Sequence, residues 1–218
     1  MVFEDREDAG RRLAEALAEY RGQNALVLGI PRGGVVLAYI VAEALDADLD
    51  VVIPRKLPAP GNPELAIGAV AADGTVVLDP ISSHYPEVTP EYIEEAKEAQ
   101  VEEIERRQQL YRRDRPPLQL EGRIVIVVDD GIATGNTVLA ALRSLRRLQP
   151  KELILAIPVA PPTSLERLEH ETDRVVVLAT PEPFFAVGQW YRHFDQVSDE
   201  EVITLLARSR RTAAEAAG

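Results

Sequence analysis

Residues Ile124–Thr137 read IVIVVDDGIATGNT. Five consecutive β-branched residues with no polar alternation are the pattern of a strand buried on both faces of a parallel sheet. The run stops at two adjacent aspartates, Asp129 and Asp130, and small residues then lead into apolar positions at helical spacing. A strand that turns through Gly into a helix leaves backbone N–H groups unbonded at the helix start. The helix dipole reinforces them, so Ala133–Thr137 make an anion site. Two carboxylates beside that site repel a bare polyanion. The vicinal hydroxyls of a sugar satisfy both acids, each carboxylate accepting an O–H bond, while Mg²⁺ shared with the ligand offsets the charge. The stretch has neither the GxxxxGK[ST] of a Walker loop nor a GxGxxG dinucleotide loop.

The same alternation extends outward from this stretch. Asp5–Tyr20 carries apolar residues at helical spacing, and NALVLGI (Asn24–Ile30) is an apolar run ending in PRGG. Val35–Leu45 is helical and LDVVIP (Leu49–Pro54) is a second buried strand, which together make a βαβ unit and imply parallel pairing. After Ile124–Val128 come a helix over Thr137–Leu148, a strand over Glu152–Ile157, a short helix near Ser164–Glu169 and a strand over Arg174–Leu178. A closing helix begins at Glu200. Residues 1–218 are therefore expected to form a single α/β domain, a mainly parallel central sheet flanked by helices. Ligands of such sheets bind beyond the carboxyl ends of the strands.

Residues 55–80 interrupt the pattern. RKLPAPGNPE (Arg55–Glu64) holds three prolines and a glycine in ten residues, so it is expected to be irregular. Asp73-Gly74, between LAIGAVAA and TVVLD, is a tight hairpin turn. The segment reads as an inserted mobile loop followed by a hairpin. Thr89-Pro90 supplies an N-cap and a first-turn proline for the long helix that follows.

Composition narrows the function classes. The 218 residues include 24 Lys and Arg against 36 Asp and Glu, a net charge of −12, which repels nucleic-acid backbones. With no cysteine, disulfides, thiolate metal sites and a Cys nucleophile are all excluded. The acidic start MVFEDRED has no apolar core for a secretory signal, and no run has the ~18 apolar residues of a membrane span. A cytoplasmic protein is expected, without nucleic-acid or membrane partners. A homo-oligomer is compatible with the sequence.

With strand, acidic pair and small-residue TG loop in this order, VIVVDDGIATGNT resembles the phosphoribosyl-pyrophosphate (PRPP) signature of the type I phosphoribosyltransferases, and RKLPAPGNPELAIGAV together with ATPEPFFAVGQWY resembles a poorly characterised branch of that family labelled only by its activity. The resemblance implies that Asp129 and Asp130 hold the ribose hydroxyls, with Mg²⁺ bound mainly through PRPP and also open to these two acids. It implies that Ala133, Thr134, Gly135, Asn136 and Thr137 hold the 5′-phosphate. GIPRGG is similar to the family's pyrophosphate loop, here Pro31, Arg32, Gly33 and Gly34, with a cis peptide at Pro31–Arg32. Arg55 and Lys56 correspond to basic groups of a flexible loop that closes over the reacting centre. The implied activity is Mg²⁺-dependent transfer of a 5-phosphoribosyl group from PRPP to a nitrogenous base, releasing pyrophosphate.

The acceptor is less defined. Ala133 stands where 6-oxopurine enzymes of the family carry an aspartate, and Asn136 where they often carry a lysine. PEPFFAVGQWYRHF (Pro181–Phe194) gathers aromatics into a hood expected over 180–198, where Phe185, Val187 or Trp190 either meet a base or cover the core. Glu64 and His193 are open as acid–base candidates. Two other readings stand: a non-catalytic PRPP- or nucleotide-sensing regulator of the same fold, and a phosphohydrolase using the aspartates on Mg²⁺.

Overall fold

The computed structural model describes residues 1–113 and 115–216. Helix α1 (Arg6–Ala16) starts under an Asp5 cap whose side chain accepts from the Asp8 N–H at 2.8 Å. Then follow β1 (Leu26–Gly29), α2 (Gly33–Leu45) and β2 (Asp48–Val51). The inserted segment forms β3 (Arg55–Ala59), β4 (Asn62–Val70) and β5 (Val76–Leu78), and the long α3 (Pro90–Arg112) begins at the Thr89 cap. The chain resumes its alternation with β6 (Ile124–Val128), α4 (Asn136–Arg146), β7 (Glu152–Val159), α5 (Pro162–Glu169), β8 (Arg174–Ala179) and α6 (Asp199–Ala216).

The central sheet has five parallel strands in the order β2-β1-β6-β7-β8. All five residues of β6 are buried, as an unalternating β-branched run requires of a middle strand. Ile124, Ile126 and Val128 pack into the core shared with α1, α2, α3 and α6. Val125 and Val127 pack on the other face with α4 and α5. The parallel α/β fold expected from the sequence is the fold found. Among the described residues no helix is long and apolar enough to cross a membrane.

One expectation is corrected. RKLPA is not irregular: it is β3, the edge of a three-stranded antiparallel sheet in the order β3-β4-β5, and β4 begins at Asn62. Proline cannot donate to a ladder, but an edge strand has one side unpaired and a bulge has a residue to spare. Pro58 sits where the register with β4 shifts on both sides, and Pro60 lies in the turn before Gly61, which takes φ +70°. The expected hairpin turn at Asp73-Gly74 is present, with Asp73 Oδ1 accepting from the Thr75 N–H at 3.0 Å. Tyr92 of α3 donates to the Pro58 carbonyl at 2.9 Å and ties this sheet to the helix.

At the other end of α3, Arg112 grips the buried Asp50 of β2 through two bonds of 3.0 Å, and Arg115 lies 3.6 Å from the same carboxylate. Removing one partner of a buried pair costs ~3–5 kcal/mol when the other is left alone. Arg115 remains here, so Arg112→Gln is expected to cost about 2–3 kcal/mol. Urea unfolding reads this as a lower midpoint with an unchanged slope, and an unchanged midpoint contradicts it.

Candidate functional site

The strand order reverses direction between β1 and β6: the chain moves from β1 outward to β2, and from β6 the opposite way to β7. The loops after β1 and β6 therefore part at their carboxyl ends, which opens a crevice there. A cleft of about 760 Å³ lies at this point. The loops after β1, β2 and β6 all reach it, through Pro31–Gly33, Pro54–Lys56 and Asp129–Asp130, with Thr137 beyond.

Asp129 and Asp130 stand at its floor. Asp129 Oδ1 accepts the Asp130 N–H at 2.9 Å, and Asp130 Oδ2 accepts Arg6 Nε at 2.8 Å. Burial, and then the neighbouring Asp130 charge, push the Asp129 carboxyl well above the usual carboxylate range. Burial raises Asp130 as well, and the Arg6 guanidinium pulls it back. Tyr191 donates to the Asp130 carbonyl at 2.5 Å, and burial with the Asp130 charge pushes its phenol upward. Gly33 and Gly34 are demanded by this packing. A Cβ at Gly33 would lie 1.9 Å from Asp130 Oδ2, and one at Gly34 2.7 Å from the Val128 carbonyl oxygen.

On the first loop the Pro31–Arg32 peptide is cis. Arg32 Nη1 lies 3.8 Å from Asp199 Oδ1 at the start of α6, and that oxygen accepts the Tyr111 hydroxyl at 2.5 Å. Burial and this acidic partner push Tyr111 up to about 12. Arg55 Nε donates to Gln100 of α3 at 3.2 Å, and burial together with Arg107 lowers its pKa. Lys56 is exposed at the cleft wall.

Beyond the acids, Gly135 (φ +81°) precedes α4 with no side-chain cap, which leaves the first-turn N–H groups uncapped. Ser164 of α5 donates to the Ala133 carbonyl at 2.5 Å and fixes this turn. Ala133 and Thr134 are exposed. The Asn136 side chain is buried and turned sideways, donating to Asp79 at 2.7 Å and accepting from Arg167 at 3.2 Å. Asn136 therefore presents backbone, not side chain, to this turn.

In the aromatic segment Val187 and Trp190 pack against the core, the second of the two arrangements the sequence left open. Phe185 is 82% exposed, Trp190 stacks on Phe184 at 6.1 Å, and Val187 lies against Gly131, where an added Cβ would meet it at 2.5 Å. None of the three lines the cleft; Phe194–Val197 do. Glu64 and His193 also lie outside the lining, and His193 Nε2 sits 3.5 Å from Glu4 on the surface. Arg6, Tyr191, Asp199 and Tyr111 were not singled out from the sequence. Arg6 meets Asp130 across 124 positions, a separation at which no local spacing signals contact.

The phosphoribosyl transferase domain model matches residues 3–189. The chain belongs to the phosphoribosyltransferase family. It is 45% identical over 215 residues to "Putative phosphoribosyl transferase Rv0571c" of Mycobacterium tuberculosis H37Rv, and equally to its counterpart in strain CDC 1551. The match covers 99% of this chain and 48% of each relative, so the chain spans about half the length of the curated relatives it matches. Among solved structures it resembles TT1426 from Thermus thermophilus, with 44% identity and a TM-score of 0.79 over 95% of this chain and 99% of that one. The AQ2163 protein from Aquifex aeolicus, 15% identical with a TM-score of 0.52 over 84% of this chain and 76% of that one, shares the fold.

Among the described residues no three His, Asp or Glu side chains gather as a metal cage. Magnesium is commonly held through one or two carboxylates and the oxygens of a bound phosphate ligand. Asp129 and Asp130, each with a second oxygen beyond the bonds above, fit that smaller protein share.

The raised Asp129 has a consequence for stability. A carboxyl whose folded pKa lies above its unfolded value favours folding below the ordinary carboxylate range, and that contribution is lost as pH rises through the folded value. Asp129→Asn removes the charge and keeps an oxygen for the Asp130 N–H. It is expected to melt higher than wild type at pH 8, with the gain shrinking towards pH 4. Equal melting of the two proteins at pH 8 contradicts the strained pair.

Proposed function

We propose that this protein transfers a 5-phosphoribosyl group from PRPP to a nitrogenous base, with Mg²⁺ bound to the donor and pyrophosphate released. The observation that carries the reading is the meeting of unlike groups at one cleft: a carboxylate pair and the cations Arg32, Arg55 and Lys56 line it, and the uncapped start of α4 reaches it at Thr137. A sugar diol, a terminal phosphate and a pyrophosphate need those three partners together. The 99% coverage by 45% identical relatives supports the same reading.

Each group then has a role. Asp129 and Asp130 accept the ribose hydroxyls, and their charge faces the ring as it gains oxocarbenium character. The N–H groups of Ala133–Thr137 and the hydroxyls of Thr134 and Thr137 hold the 5′-phosphate. Arg32, Arg55 and Lys56, with the loop N–H groups at Gly33 and Gly34, stabilise charge gathering on the departing pyrophosphate. Asp129 and Asp130 would hold Mg²⁺ together with the donor, and the ion would supply positive charge against the pyrophosphate. Within residues 55–80 the exposed tip around Gly61 covers the centre and excludes water, and 180–198 form the acceptor side, where Phe185 offers an open aromatic face. No side chain acts as a nucleophile.

The test incubates the protein with PRPP, Mg²⁺ and a panel of bases and follows pyrophosphate. Base-dependent release is expected. PRPP binding without turnover for any base assigns a sensor instead, and base-independent phosphate release assigns a hydrolase. Arg32→Ala is expected to lower kcat by ~10²-fold, the loss typical of one electrostatic stabiliser. The Asp129→Asn/Asp130→Asn double variant is expected to lose PRPP protection against thermal unfolding, and retained protection contradicts the diol role.

A further inference from the structure

We infer that Arg6, outside every motif of the chain, is a positioning residue of the donor site: it fixes Asp130 to receive the sugar hydroxyl. The inference rests on the PRPP reading above. Arg6 is the first residue of α1, and its guanidinium is held from three directions. Nε donates to Asp130 at 2.8 Å, Nη1 donates to the Asp195 carbonyl at 2.6 Å, and the plane lies over the Phe194 ring with 3.9 Å from its central carbon to the ring centroid. Planar, forked and stackable, this is an arrangement a lysine does not reproduce.

The position is also shared with the first loop. A Cβ on Gly33 would come within 2.8 Å of Arg6 Nε and 1.9 Å of Asp130 Oδ2. Thus α1, the loops after β1 and β6, and the segment at Phe194–Asp195 converge around one carboxylate oxygen. With that oxygen occupied by Arg6, the other is the one left for a ligand.

A merely structural role accounts poorly for this geometry. The two side chains are 13% and 16% exposed, and an ion pair so far out of water returns little net stability, because desolvation cancels most of the attraction. Placement of the carboxylate is what the pair supplies. Arg6 itself also lines the cleft wall. The bulk charge of α1 does not need it: Arg11, on the same helix, spends its charge on an exposed pair with Glu7 at 3.6 Å.

The test measures PRPP binding in the presence of Mg²⁺ by calorimetry for wild type, Arg6→Gln, Arg6→Lys and Arg11→Gln, beside their melting curves. Arg6→Gln is expected to raise Kd for PRPP about tenfold or more, and Arg6→Lys to fall between it and wild type. Arg11→Gln, the same loss of charge on the same helix, is expected to bind as wild type. If Arg6→Gln does not fold, Arg6→Lys decides. Wild-type affinity in a folded Arg6 variant overturns the inference, as does equal weakening by Arg11→Gln. Failure of the wild type itself to bind PRPP removes the donor reading, a result distinct from equal affinities among proteins that bind.

Discussion

Asp129 and Asp130 repel one another at the buried end of β6, and the elements around them are arranged against that repulsion. Water is largely excluded there, so each charge costs more than it does at a surface, and the second charge costs more again. The chain answers with one guanidinium from α1, one backbone N–H within the pair, and a strand end that leaves both acids facing a cleft. Two glycines on the neighbouring loop give the acids room. None of these devices offsets the cost of burial, which keeps both carboxyls raised, and at Asp129 the neighbouring charge adds to it. A ligand that brings hydroxyl donors and a divalent cation relieves it, so the tension is stored where binding releases it.

Much of the fold was legible because local rules and tertiary demands agree. β6 is buried all round and its sequence is β-branched all through; α3 begins at the Thr89 cap that announced it, and the accepted N–H is where a cap places it. Failure came where a local rule depends on position in the sheet. Proline excludes a central strand, yet Pro58 belongs to an edge with a bulge, and no spacing within RKLPAPGNPE says which of the two it occupies. The phosphate-type turn and the acid pair were legible as one contiguous stretch. Arg6, Tyr191 and Phe194 were not, because they reach that stretch through long-range packing, of α1 on α2 and of Phe3 beside Tyr191, which lays the chain's first residues beside its last loop.

Charge distribution separates this cleft from the rest of the surface. The chain carries −12 overall, while Arg6, Arg32, Arg55 and Lys56 all point cationic groups into or beside one crevice. At physiological ionic strength charges are screened beyond ~8 Å, so a long polyanion meets the acidic surface along most of its length. A small phosphorylated sugar meets only the cleft. Size and local charge together therefore favour a compact anion over a nucleic acid.

Transfer from an activated sugar also requires water to be kept out, and the architecture limits how the cleft is covered. Residues 55–80 are tied down at several points: β3 is paired to β4, Tyr92 holds the Pro58 carbonyl, Gln100 holds Arg55, and Asp79 accepts from Asn136 at the start of α4. Swinging the whole segment as a lid breaks all of these bonds. The stretch around Gly61 carries fewer ties: Gly61, Asn62, Pro63 and Glu64 are exposed, and the pairing with β4 is irregular on either side of Pro58. Closure confined to that tip moves Pro63 over the cleft, while Lys56, paired with Ala69 in the β3–β4 ladder, and Arg55, held by Gln100 of α3, keep their places at its wall. On that geometry the two adjacent basic residues stand at the cleft before any ligand arrives, and the tip serves only as cover.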